Sequence, residues 1–105
     1  MKCYTIGELD ITDRAWVSDY VQQVTPLIAS HGGRYLTRTA QIEQLEGARK
    51  LPQILVIVEW PSREAAQAFY DSDAYRPYRD ARHAGAKNEF IVVPAEDMTG
   101  AAAIV

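Results

Sequence analysis

Two glutamates, Glu8 and Glu59, are the carboxylates best placed for chemistry, because each lies near the carboxyl end of a predicted central strand. If parallel neighbours bring those strand ends together, the pKa of one carboxyl group rises and that group can act as a general base. Glu59 is the better candidate, since its strand is the more buried one. The alternative is that the two glutamates face opposite sides, or that they pair with Arg34 or Arg38.

A second group of candidate residues lies between Tyr70 and Arg82, where phenols and guanidinium groups recur at helical spacing. Tyr75, Tyr78, Arg79 and Arg82 are three or four residues apart and therefore share one helix face. This face could roof a cleft in which Arg82 holds a carboxylate or enolate. The alternative is structural, because tyrosines at this spacing usually pack in a core with the hydroxyl in water.

These candidates predict one ligand site on the helix-covered face of the sheet. Glu59 is its catalytic base and Arg82 its anion-binding group, while Tyr70 and Tyr75 shape the roof. Arg34 is a further candidate for binding the substrate. The helical region follows directly from the strand that bears Glu59 and so folds back over it. An unpaired carboxylate on so apolar a strand is costly, and we therefore expect a cationic partner nearby.

The sequence contains no motif for binding a metal or a cofactor. His31 and His83 are its only histidines, and no spacing of histidine, cysteine and carboxylate matches a metal set. A phosphate-binding glycine loop and a nucleophile elbow are also absent. We expect no metal, haem or nucleotide cofactor. Cys3 is the only cysteine, which excludes an internal disulfide and favours a reducing cytoplasm.

Composition excludes several classes of partner. The chain has 105 residues, 48% of them hydrophobic and 24% charged, as in a soluble globular protein. Its formal net charge of -3 argues against nucleic acid, since phosphate binding needs concentrated positive charge. No apolar segment reaches the roughly 20 residues that cross a bilayer, and the N-terminus lacks the apolar stretch of a signal peptide. We expect a cytoplasmic protein with neither a membrane nor a nucleic-acid partner.

The apolar pattern predicts a strand, a helix, two strands, a helical region and a final strand. The predicted ranges are 3–9, a helix ending at Gly32-Gly33, 34–39 with a resumption at 41–46, 53–60, 62–85 and 89–93. This order is the ferredoxin-like βαββαβ arrangement, an α+β fold with a four-stranded antiparallel sheet and both helices on one face. Right-handed crossovers predict that the first and third strands lie side by side and parallel at the centre. Residues 1–94 form one domain, and residues 95–105 are a C-terminal tail that packs on a partner or is disordered.

The strand around Ile54 to Val58 also indicates how the chain assembles. Its large apolar residues are mostly β-branched and leave neither face polar. The helices of one chain can cover only one face of the sheet, and an open apolar face would exceed the patch that monomers tolerate. We therefore expect a homodimer in which sheet packs against sheet.

Three segments together carry a family resemblance. They are Gly32-Gly33-Arg34-Tyr35-Leu36, the junction Val58-Glu59-Trp60-Pro61-Ser62, and the stretch from Ala65 to Tyr75 with Arg82 beyond it. Over about residues 2–94 the chain resembles the family of domain of unknown function 1330, in the dimeric α+β barrel superfamily. The resemblance implies a ferredoxin-like protomer whose sheet packs on that of a second protomer. Cofactor-free monooxygenases, polyketide cyclases, haem-degrading enzymes and stress-response proteins share this fold, so the fold does not choose a reaction.

Two classes of function follow. The first is a cofactor-independent enzyme or binding protein for a small anionic or polyketide-like organic molecule, held between the helices and the sheet. The second is a non-catalytic dimeric module for regulation, stress response or protein interaction, in which the same residues only satisfy one another. A cavity lined by Glu59 and Arg82 favours the first, and a filled core in which these two residues form a salt bridge favours the second.

Overall fold

The computed structural model describes residues 1–100, and within them four strands and three helices follow the predicted order. Their bounds are β1 Cys3–Ile11, α1 Val17–Ser30, β2 Arg34–Thr39, β3 Ile54–Trp60, α2 Arg63–Tyr70, α3 Arg76–Gly85 and β4 Ala86–Pro94, with a 3-10 turn at Met98–Gly100. The ferredoxin-like α+β prediction is confirmed. The predicted helical region 62–85 is divided into α2 and α3, with the break at residues 71–75. The end of the predicted tail, residues 101–105, lies outside the described residues.

The sheet has the strand order β2-β3-β1-β4, and every neighbouring pair is antiparallel. The prediction that β1 and β3 are central neighbours is confirmed, but the prediction that they are parallel is wrong. The α1 crossover makes β2 run in the same direction as β1, and β3 then returns antiparallel to β2. Lying between them, β3 is antiparallel to both. The carboxyl ends of β1 and β3 therefore lie at opposite ends of the sheet.

Strand alternation gives the sheet two different faces. Cys3, Gly7 and Leu9 of β1 and Val58 and Trp60 of β3 are buried on the face that the helices cover. The opposite face, which we call the open face, has three rows of residues across β3, β1 and β4. In that strand order the rows are Glu59–Tyr4–Val93, Ile57–Ile6–Ile91 and Leu55–Glu8–Glu89.

Local signals set the ends of the helices. Ser62 is extended and its Oγ accepts a hydrogen bond from the Ala65 amide at 3.0 Å, so it caps α2. Gly32 has φ 82°, the left-handed conformation expected just after α1. By contrast, α1 begins at Val17 without a side-chain cap.

Two predicted strand bounds differ from the structure by more than two residues. Residues 41–46 are not a strand but part of a connection from β2 to β3, which Arg49 fastens to the sheet through Glu8. Strand β4 begins at Ala86, earlier than its apolar pattern suggests, because its edge pairing with β1 continues as far as Ile11.

The core lies between the helices and the covered face of the sheet. Val24 and Ile28 of α1 and Ala66 of α2 are buried against it. The rings of Trp60 and Phe69 have centroids 5.1 Å apart. Among the described residues, no helix is long and apolar enough to cross a membrane.

Candidate functional site

A half-open cleft of about 470 Å³ lies between the helices and the covered face of the sheet. Eight of the ten aromatic residues in the chain line it, namely Trp16, Tyr20, Tyr35, Trp60, Phe69, Tyr70, Tyr75 and Phe90. Drug-sized ligands bind in clefts of this volume whose walls are mainly apolar and whose polar groups are few. The cleft therefore has the size and wall chemistry of a site for a small aromatic molecule.

Arg82 is the buried charged residue of this cleft, with only 1% of its surface exposed. Its Nη1 donates to Asn88 Oδ1 at 2.9 Å, and its Nη2 donates to the Tyr75 hydroxyl at 3.2 Å. The guanidinium carbon lies 4.3 Å from the centroid of the Phe90 ring, which adds a cation–π contact. Its Nε is buried and has no hydrogen-bond partner in the part of the chain that the structure describes.

Two tyrosines extend the polar group from Arg82 towards α1. The hydroxyls of Tyr20 and Tyr75 lie 2.6 Å apart. Burial raises the pKa of Tyr20 well above its usual value, and Tyr75 adds to that shift. Burial also raises the pKa of Tyr35. Tyr20 and Tyr35 are therefore neutral phenols at physiological pH, and they offer hydrogen bonds without acting as bases.

The charged residues that line the cleft are all cationic. They are Arg38, Arg63 and Arg82, and among the described residues no aspartate, glutamate or histidine joins them. Arg38 lies 3.8 Å above the Tyr35 ring and donates to Thr25 Oγ1. In a chain of net charge -3 this makes the cleft a local site of positive charge. A ligand here meets cations and phenols but no carboxylate or imidazole base.

The structure brings together three of the five residues that the sequence predicts for the site. Arg82, Tyr70 and Tyr75 line the cleft, whereas Glu59 and Arg34 do not. The expectation that Glu59 and Arg82 share a cleft is wrong. The neighbours of Glu59 in β3 face the helices, and alternation therefore directs its own side chain to the open face.

Glu59 is held on the open face by two cations. Its carboxylate lies 3.2 Å from Lys2 Nζ and 3.4 Å from Arg34 Nη2. The hydrogen bond from Lys2, and then the one from Arg34, lower the pKa of Glu59, although partial desolvation opposes them. A carboxylate so stabilised is a weak base. The cationic partners expected for Glu59 are present, and its pairing with Arg34 is the alternative that the sequence left open.

Glu8 does not form a pair with Glu59. Glu59 is opposite Tyr4, four residues before Glu8 on β1, which separates the two glutamates by about 13 Å along the sheet. Arg49 binds Glu8 through both terminal nitrogens and lowers its pKa. Two carboxylates on one face therefore have separate cationic partners, and neither has a raised pKa.

Sequence reasoning missed the contributions of Tyr20, Tyr35 and Arg38. Tyr20 belongs to the apolar stripe of α1, where it reads as an ordinary core residue. The available signal is that a tyrosine within such a stripe needs a partner for its hydroxyl. That partner, Tyr75, is 55 positions away in the sequence, and only the packing of α1 against α3 brings them together.

Metal ligation has no candidate in the described chain. Within residues 1–100, no three histidine, cysteine, aspartate or glutamate side chains are grouped closely enough to hold an ion. Cys3 is buried, with its Sγ donating to the Ser62 carbonyl oxygen, and burial raises the pKa of its thiol.

Comparison with known proteins gives a family and a fold. The model of the family described as Domain of unknown function (DUF1330) matches residues 2–95. No curated protein matches the sequence. A protein of unknown function from Rhodopseudomonas palustris is similar in structure, with a TM-score of 0.76, 17% identity, and coverage of 91% of this chain and 83% of that one.

Two further solved structures have the same fold. SnoaB, a cofactor-independent oxygenase from Streptomyces nogalater, gives a TM-score of 0.66 at 14% identity, over 91% of this chain and 94% of its own. A dimeric ferredoxin-like protein of unknown function from Jannaschia gives 0.63 at 9% identity, over 90% of this chain and 100% of its own. At such identities the similarity is one of fold alone.

Proposed function

The chain belongs to the DUF1330 family, and we propose that it is a homodimeric protein that binds a small aromatic anion between its helices and its sheet. One observation carries this proposal. Arg82 is buried in an aromatic cleft with an Nε that has no partner among the described residues. A buried donor without a hydrogen bond costs about 1–3 kcal/mol, and more when the group is charged. A bound anion would supply the missing acceptor and charge.

The neighbours of Arg82 support a binding role. Burial of the guanidinium opposes its charge, but Tyr75 and Tyr20 raise the pKa of Arg82 overall, so the cation is retained. Within residues 1–100, no acidic residue lines the cleft to neutralise it. The resulting positive charge in a low-dielectric site favours an anionic ligand. Tyr75 would orient Arg82, and Tyr70 would complete the aromatic wall.

Binding is better supported than base catalysis. The lining residues within the described chain include no carboxylate or imidazole that could take a proton from a ligand. The Streptomyces nogalater protein is a cofactor-independent oxygenase, and its likeness of fold makes a cofactor-free reaction a second candidate. Such a reaction would depend on hydrogen bonds and positive charge from Arg82 and the phenols. Neither the binding role nor the cofactor-free reaction uses Glu59 or Arg34.

The open face supports the homodimer. Its central row is Ile57, Ile6 and Ile91, of which Ile91 is 58% exposed. The rows on either side carry the ion pairs of Glu59 and Glu8. An apolar centre with a charged border is the usual composition of a protein interface. We propose that a second copy covers this face, and that Glu59, Lys2 and Arg34 form part of its border.

Sedimentation velocity tests the dimer. Wild type should sediment as a dimer at micromolar concentration, and Ile6→Asp should produce folded or partly folded monomer, because a carboxylate at the apolar centre would be buried without a partner. Ala68→Asp adds the same charge to an exposed position on α2 and should leave the dimer intact. A stable wild-type monomer would contradict the proposal.

Calorimetric titration tests the ligand site, with 2-naphthol and 2-naphthoate as probes. We expect at least one of them to bind wild type, and Arg82→Gln to weaken that binding tenfold or more. Arg76→Gln is the matched control, because Arg76 is on the same helix but pairs with Asp73 outside the cleft. Failure of both probes to bind the folded protein, or equal loss in the two variants, would refute the site.

A further inference from the structure

Arg82 has one nitrogen, Nε, that makes no hydrogen bond to any described residue. Nη2 already donates to Tyr75 and Nη1 to Asn88, which leaves Nε as the nitrogen without a partner among the described residues. Arginine usually binds a carboxylate through two parallel hydrogen bonds from neighbouring nitrogens. Nη1 and Nη2 each keep a second hydrogen, but Asn88 and Tyr75 already lie against these two nitrogens, and only Nε has no such neighbour. This geometry suits a single oxygen better than a carboxylate.

The pair of tyrosines provides a second donor. The Tyr75 oxygen accepts a hydrogen bond from Arg82, and the bond between Tyr75 and Tyr20 uses one of the two hydroxyl hydrogens. The other hydroxyl hydrogen has no acceptor in the described part of the chain, whichever tyrosine carries it. One phenolic O–H and the Nε–H of Arg82 are thus available at the same end of the cleft, beside the second hydrogens of Nη1 and Nη2.

His83 follows Arg82 on α3 but does not line the cleft, and burial and then the charge of Arg82 lower its pKa. The titratable residues that line the cleft around the two donors are tyrosines and arginines. Tyr20 faces them from α1, while Tyr35 and Arg38 belong to β2, and burial keeps the two phenols protonated. The charged groups that line the cleft are arginines. A ligand hydroxyl that kept its proton would bring a third donor to this end of the cleft. A ligand oxygen that had lost its proton would accept from both.

We infer, on the basis of the proposed ligand site, that the bound group is a single oxyanion, a phenolate or an enolate carried by an aromatic molecule, and not a carboxylate. A ligand that arrives neutral loses its O–H proton on binding. The electron pair of that bond stays on the ligand oxygen, and the proton passes to the solvent buffer because no carboxylate or imidazole of the described residues lines the cleft. The aromatic walls then contact the faces of the ligand ring.

Three probes with the same nitrophenyl ring test this inference on the wild-type protein. 4-Nitrophenol carries a hydroxyl group, 4-nitroanisole carries a methoxy group that cannot ionise, and 4-nitrobenzoate carries a carboxylate. Only the phenolate form of 4-nitrophenol absorbs strongly in visible light, so its ionisation is read directly in an absorbance titration. Calorimetry in two buffers with different ionisation enthalpies counts the protons released.

At a pH one unit below the pKa of free 4-nitrophenol, about a tenth of the free probe is ionised. We expect most of the bound probe to be phenolate, with close to one proton released per molecule bound. This result requires the phenolate to bind about a hundredfold more tightly than the phenol, because a tenfold preference leaves only about half of the bound probe ionised. 4-Nitroanisole and 4-nitrobenzoate should each bind at least tenfold more weakly than the phenolate.

The outcomes separate this inference from the proposed function. Equal binding of 4-nitroanisole, or tighter binding of 4-nitrobenzoate, would overturn the oxyanion preference but leave an aromatic ligand site in place. Failure of all three probes to bind would count against both. In Arg82→Gln the visible phenolate band should be lost, whereas Arg76→Gln should retain it. If Arg82→Gln fails to fold, the comparison of the three probes on the wild-type protein still tests the preference for a single oxyanion.

Discussion

Gly7 leaves space for the aromatic ring that supports Arg82, and its replacement tests that support. A Cβ on Gly7 would lie about 2.3 Å from Phe90 Cε1 and 2.5 Å from Cζ, which is far inside contact distance. Gly7 does not have a positive φ, so alanine can adopt its backbone conformation. The consequence of Gly7→Ala is therefore a clash between side chains, and the Phe90 ring must move.

Two opposing terms set the size of the effect. Overpacking of this kind typically costs about 1–3 kcal/mol. Replacing glycine in a compatible conformation recovers about 0.4–1 kcal/mol, because the unfolded chain loses freedom. Phe90 is 37% exposed and can swing towards solvent, but it then loses its contact with Arg82, worth about 0.5–2 kcal/mol. We expect Gly7→Ala to destabilise the protein by about 1–2 kcal/mol, the overpacking cost less the entropy gain.

Without the Phe90 ring, the change in stability that Gly7→Ala causes should have the opposite sign. In a Phe90→Ala background the clash is absent, and Gly7→Ala should then stabilise the protein by about 0.4–1 kcal/mol. The difference between the two backgrounds is a coupling energy of about 2 kcal/mol, within the range measured for residues in contact.

Urea denaturation of the four proteins, followed by tryptophan fluorescence, measures this cycle. Protein concentration must be held equal, since the stability of a dimer depends on it. In the wild-type background Gly7→Ala should also weaken binding of 4-nitrophenolate, because Arg82 loses the ring against which it packs. If Gly7→Ala had the same sign and size in both backgrounds, the proposed contact between Gly7 and Phe90 would be refuted.

Three smaller predictions follow from local contacts. Ser62→Ala should cost about 1 kcal/mol in urea denaturation, because it removes the cap of α2; no change in the midpoint would show that the cap is not needed. Glu59 has a lowered pKa, so its ion pairs stabilise the folded state above its unfolded pKa of about 4.3 and lose that effect as pH falls through the folded value. Glu59→Gln should therefore flatten the loss of stability on the acid side, and an unchanged acid profile would argue against the pairing. Cys3 is buried with a raised pKa, and a thiol reagent should modify it in urea but only slowly in the native protein; rapid native labelling would contradict the burial.

The failure of the Glu59 hypothesis has a specific cause. The sequence shows that Glu59 differs from its neighbours, but alternation alone tells only which residues share a face. Choosing the face needs the position of the helices, and judging the distance to Glu8 needs the relative direction of β1 and β3. Because β1 and β3 are antiparallel and not parallel, the two carboxylates lie towards opposite ends of the sheet.

The position predicted for Arg82 agrees with the structure because it depends on helical spacing, whereas its binding role stays a prediction. Spacing of three and four residues places Tyr75, Tyr78, Arg79 and Arg82 on one side of α3 whatever the helix packs against. In the structure, only some of these four residues line the cleft. Arg82 and Tyr75 line the cleft, whereas Arg79 donates to the Tyr70 carbonyl oxygen outside it.

By itself, the sequence determined the order of the elements, the caps at Ser62 and Gly32, and the presence of apolar residues on both faces of β3. All of these depend on residues within a few positions of one another. Only the tertiary structure decided the antiparallel pairing of β1 with β3, the face that carries Glu59, and the meeting of Tyr20 with Tyr75. Those features depend on contacts between residues distant in the sequence, and the packing of the whole chain selects them, because periodicity specifies a face without specifying its partner.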